Sequence, residues 1–95
     1  MSNFSFMDGL LEYFSKKAEV FLKDQGIDKT VADFEKDIKF NKPEWENINN
    51  YNQAMYIVFY IEELMTAILN YVSCKNGTSF KDEREKFLSI YLSTN

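Results

Sequence analysis

Residues 51–74 read YNQAMYIVFYIEELMTAILNYVSC, with no Pro, no Gly and only two charged side chains, Glu62 and Glu63. At about 100° of turn per residue, the stretch sorts onto two unequal helical faces. A narrow face carries Asn52, Glu62, Glu63, Thr66, Asn70 and Ser73. The remaining circumference is built almost wholly from Ile, Val, Leu, Met, Ala and Tyr, running from Ala54 to Val72. That apolar arc spans roughly 220°, about twice what a surface helix needs. Such a helix has to be packed on several sides, so the remaining chain must supply its cover.

Two competing readings are weaker. Residues 54–61 are apolar without interruption and rich in aromatic and β-branched types, as a buried strand would be. The pattern then continues past Glu62 and Glu63 to Val72 with no turn signal, beyond the length of an ordinary strand. A transmembrane span is not expected either. The uninterrupted run is short for a bilayer, and two adjacent carboxylates would sit near its centre.

The flanking chain reads as three further helices. In residues 4–25, Met7, Leu10, Leu11, Phe14, Ala18, Phe21 and Leu22 recur on one face. Glu12–Lys16 and Glu19–Lys23 are favourable i, i+4 pairs, and Gly26 suits a left-handed cap. Gly9 lowers helix propensity, so the first turn is expected to begin after it. Tyr13 and Val20 share a flanking stripe. Residues 27–40 predict a short second helix on Val31, Phe34 and Ile38, capped by Asp28 or Thr30, with Thr30 and Asp33 at capping-box spacing. Pro43, Glu44, Trp45 and Glu46 open the central helix, and the asparagines at 47, 49 and 50 allow a kink there. Asn76-Gly77 ends it. Thr78 or Ser79 caps a fourth helix, whose predicted buried stripe is Phe80, Phe87, Leu88 and Tyr91. The fold class is therefore all-α: one small, four-helix, bundle-like domain over residues 1–95, with its long central helix at about residues 44–75. One Pro and three Gly in 95 residues agree with long helices rather than a turn-dense β fold. Sixteen aromatic residues (nine Phe, six Tyr, one Trp) can compensate for short length in the core.

Composition narrows the chemistry. There is no His and a single Cys, Cys74, which removes Ser–His and Cys–His nucleophile pairs, Cys/His zinc sites and any disulfide within the chain. No catalytic residue, cofactor or metal is expected. Cys74 is expected to be a buried, inert thiol. The net charge is −4, and residues 24–46 hold seven acids against four lysines. With no basic patch, nucleic-acid binding through phosphates has no electrostatic basis. No basic, cleavable leader pattern opens the chain, so a reducing, cytoplasmic setting is expected.

The candidate site is an interaction surface. Met55 and Phe59 are i, i+4 neighbours that project toward the polar face, with Tyr56 and Tyr60 along the next edge. Methionine and aromatics ringed by polar groups match an interface hot spot, although a neighbouring helix could instead bury all four. Glu62 and Glu63 diverge by about 100° and so cannot easily share one substrate. They read as solvated, or as partners for Arg84, the one arginine, within the chain or across a dimer.

The expected function is a non-catalytic protein–protein interaction module: a small cytoplasmic regulator, an immunity factor, or a phage- or plasmid-encoded inhibitor of a host protein. It would dock an aromatic, acidic helical surface on a protein partner, and a homodimer could cover part of the central helix. The alternative is a helical bundle whose tyrosines and Asn70 line a pocket for a small or nucleotide-like molecule. Four-helix bacteriocin immunity proteins are similar in size and helix count, a likeness of fold alone.

Overall fold

A computed structural model describes the backbone of residues 3–38 and 50–93, and the side chains of 9–38 and 55–93. Among the described residues four helices follow in order: α1 (Asn3–Asp24), α2 (Val31–Glu35), α3 (Asn50–Asn76) and α4 (Phe80–Tyr91). No strand occurs among the described residues. This is the expected all-α bundle with one dominant helix. The predicted helix opening at 43–46, the possible kink at 47–49, and the side chains of Met7, Asn52 and Ala54 lie outside the described residues.

The helix ends follow from local chemistry. Gly26 and Gly77 take φ of 70° and 67°, a left-handed conformation that costs a glycine little. Each closes a helix in the same way. Ile27 N–H donates to the Leu22 carbonyl at 2.9 Å, and Thr78 N–H to the Ser73 carbonyl at 3.0 Å. Ser79, the observed cap of α4, accepts from Asp82 N–H at 3.1 Å. Thr30 and Asp33 form a complete capping box. The bonds from the Thr30 backbone and side chain, more than the nearby Lys36 and Lys29, hold the Asp33 carboxyl below its ordinary value.

Two expectations about helix extent are corrected. α1 runs straight through Gly9, because one glycine's cost of about 1 kcal/mol is small beside the packing of the helix around it. α2 is far shorter than residues 27–40. Residues 27–30 are a non-helical connector, and Glu19 of α1 reaches across to accept from Val31 N–H at 2.9 Å. That contact also replaces the expected Glu19–Lys23 pair, whereas Glu12–Lys16 forms at 3.7 Å.

α1 and α4 each pack against α3 and against one another, and α2 covers a further part of α3. The core is Leu11, Phe14, Ala18, Phe21 and Leu22 from α1, Ile27, Val31 and Phe34, six side chains of α3, and Phe87. Phe87 lies between Phe14 and Phe21, with ring centroids 5.6 and 5.5 Å apart. Burying each such ring stabilises the fold by roughly 1.5–3 kcal/mol. Lys29 places its ammonium 4.7 Å from the ring centres of both Phe34 and Tyr71, which ties the connector to α3.

Candidate protein-interaction surface

α3 is covered differently along its length. In its C-terminal half, α1 and α4 bury Leu64, Ile68, Leu69, Val72 and Ser73. In its N-terminal half, among the described side chains, Ile57 and Tyr60 are buried. The opposite side of that half is exposed. Val58, Glu62, Met55, Thr66, Phe59, Glu63 and Tyr56 follow one another around an arc of roughly 160°. Val58 is 51% exposed and Phe59 46%. From Met55 to Thr66 the strip is about 17 Å long at 1.5 Å per residue.

Five of the seven predicted site residues lie together here: Met55, Tyr56, Phe59, Glu62 and Glu63 are all exposed on one strip. Arg84 is exposed on α4, and among the described residues no salt bridge joins it to Glu62 or Glu63. Tyr60 is a correction. It is 4% exposed and belongs to the core, where its hydroxyl donates to the Glu35 carboxylate of α2. Burial first, and then that bond and the charge of Glu35, push the phenol far above its ordinary value, so it stays neutral. Val58 and Thr66 are the strip residues that sequence reasoning left out of the site, and Val58 is the apolar one. The 100° rule places it about 40° from Glu62, and that signal was available.

Two other expectations are reversed at the far end of α3. Ser73, assigned to the wet face, is buried, and its hydroxyl donates to the Asn70 carbonyl at 3.0 Å. Cys74, expected to be buried, is exposed. α1 and α4 approach this half of the helix from the Ser73 side and leave the Cys74 side open.

The strip's chemistry is simple. Its only charges are the two carboxylates, and α3 carries no basic residue before Lys75. Glu62 and Glu63 stand on an open helical surface rather than in a cleft. Among the described residues, Asn70, Tyr60 and Tyr71 have separate surroundings. Asn70 is exposed, Tyr60 bonds Glu35, and Tyr71 packs edge-on to Phe34 at 5.4 Å. No three His, Cys, Asp or Glu side chains come together as a metal would require among the described residues. By length and composition, the segment Met55–Asn76 could cross a membrane, with mean hydropathy 1.3. Here its C-terminal half is the core helix of the bundle.

No protein-family model, curated protein or solved structure matches the chain.

Proposed function

We propose that the protein is a non-catalytic binding module, a small regulator or inhibitor, that docks the exposed strip of α3 onto a basic, partly apolar surface of a protein partner. One observation carries this reading: Met55, Tyr56, Val58 and Phe59 are exposed on the same side of α3 as Glu62 and Glu63, while the other side of the helix is core. Isolated exposed apolar residues need no explanation, but a contiguous group rimmed by charge does. Aromatic side chains supply large contact area at low entropy cost, and methionine adapts to an irregular partner. The two carboxylates select a partner that offers lysine or arginine beside its apolar groove.

Affinity capture from the cell of origin tests the reading, using wild-type protein, Phe59→Asp and the double variant Glu62→Lys/Glu63→Lys. Each variant must melt as the wild type does. The expected result is a discrete captured protein whose binding weakens at least tenfold in both variants and falls with added salt. Capture that is indifferent to both variants would remove the strip from the binding surface.

A further inference from the structure

The chain carries a second exposed apolar surface, of opposite electrostatic character. Tyr13 and Val20 of α1 face Ile90, Leu92 and Ser93 at the end of α4 across an open groove of about 510 Å³. Val20 is 53% exposed and Leu92 73%. The groove is braced from within. The Tyr13 hydroxyl donates to the Tyr91 carbonyl at 2.9 Å, and the Lys17 ammonium donates to the Ser93 carbonyl and hydroxyl at 3.0 and 3.2 Å. Lys16 and Lys17, at i−4 and i−3 from Val20, line the groove with no acid among its lining residues; beyond it, exposed Lys23 and Asp24 stand at i+3 and i+4. The Lys16–Glu12 pair is long and open to water, and such pairs exchange at little cost.

The α3 strip is apolar with acids and no base; the α1–α4 groove is apolar with lysines. We infer that the groove receives the α3 strip of a second copy of this chain, a head-to-tail contact that sets Phe59 and Met55 against Val20 and Leu92, and Glu62 and Glu63 beside Lys16 and Lys17. The inference rests on the strip being a docking surface. Charge complementarity selects this occupant. A two-fold contact of strip against strip would gather four carboxylates with no cation from α3, whereas strip against groove pairs them. The two surfaces share no residue, so the contact is heterologous and each added copy leaves one strip and one groove open. A strip about 17 Å long gives an interface at the small end of the range, and its charge pairs make the association salt-sensitive. Self-association then hides the strip, and a foreign partner competes for it.

Light scattering and sedimentation of the full chain, from low to several hundred micromolar, test this with one broken surface at a time. Phe59→Asp breaks the strip and Val20→Asp breaks the groove. Both positions are exposed, and unchanged melting verifies that both variants are folded. The wild type is expected to gain mass with concentration and lose it in high salt. Either variant alone should associate at least tenfold more weakly. An equimolar mixture should form a species of two chains and stop there, because one variant retains the strip and the other the groove. A wild type that stays monomeric overturns the proposal, as does a mixture that stays monomeric or a Val20→Asp protein that associates as strongly as the wild type. Foreign-partner capture separates this proposal from the docking reading itself: it should survive Val20→Asp and be lost in Phe59→Asp, whatever the self-association shows.

Discussion

At the residue scale, Tyr60 shows how a side chain can look like surface and act as core. It sits one position after the exposed Phe59, yet α2 covers it and takes its hydroxyl on Glu35. Removing that hydroxyl with Tyr60→Phe keeps the ring's packing and loses one bond to a half-exposed carboxylate. The expected cost is about 1 kcal/mol, or roughly 4–8 °C in melting temperature for a domain of this size. The pH dependence has a definite sign. The folded state holds the phenolic proton more tightly than the unfolded chain, whose tyrosine titrates near its ordinary value of 10. The stability linked to this held proton, set by burial first and then by Glu35, is therefore complete through neutral pH and is lost as pH rises beyond that value. Melts in alkaline buffers should show Tyr60→Phe losing stability less steeply than the wild type; parallel curves would mean the hydroxyl contributes nothing. Glu83 is the converse case, an acid from an apparently wet first turn that is wholly buried. Its carboxylate accepts from Thr78 Oγ1 at 2.5 Å and from Lys86 Nζ at 3.3 Å. Burial would raise this carboxyl, but those two bonds and the charge of Lys86 outweigh it and hold it below its ordinary value. Glu83 thus fastens the turn between α3 and α4.

At the element scale, α3 behaves as two helices in one. Among the described side chains, five are buried in its C-terminal half and two, Ile57 and Tyr60, in its N-terminal half. Leu64→Ala, at a fully buried position, is expected to cost about 2–5 kcal/mol. Phe59→Ser, little more than one turn away, should change stability by no more than about 0.5 kcal/mol in the same urea titration. A Phe59 variant as destabilised as the Leu64 variant would make the strip part of the core. The division also explains what the sequence revealed. Periodicity picks out Leu11, Phe14, Ala18, Phe21 and Leu22 as the described core of α1, and spacing puts Thr30 and Ser79 among the candidate caps, because each depends only on position along one helix; spacing leaves open whether the residues around Phe59 are exposed. Tyr60, Ser73 and Cys74 were misplaced because the apolar arc is wider than any single neighbour. Which part of it is covered depends on where α1, α2 and α4 come to rest. Glu19 was misassigned for a related reason: its partner, the Val31 amide, lies twelve residues away across a turn and not on its own helix.

At the scale of the whole molecule, the same helix poses the question of water or membrane. The segment Met55–Asn76 is long and apolar enough to span a bilayer, and we predict on energetic grounds that it stays in the bundle. Its eight Leu, Ile, Val and Phe side chains would gain roughly 0.3–0.6 kcal/mol each on insertion, a total on the order of 4 kcal/mol. Two central carboxylates, at about 3 kcal/mol each, exceed that gain on their own. Insertion would also strip α3 from α1, α2 and α4 and forfeit the folded state, typically worth 5–15 kcal/mol in a domain. Anionic lipid offers no compensation to a chain of net charge −4. In a flotation gradient with neutral phosphatidylcholine vesicles, the protein should therefore remain in the dense aqueous fraction, and adding phosphatidylserine should not carry it upward. A substitution of both Glu62 and Glu63 by Leu lowers the insertion penalty but leaves the bundle's packing in place, so that variant should stay in the same fraction while it is folded. Flotation of most of the wild-type protein would mean that the bundle opens at a bilayer, and that the exposed strip of α3 is a lipid-facing surface and not a protein-binding one.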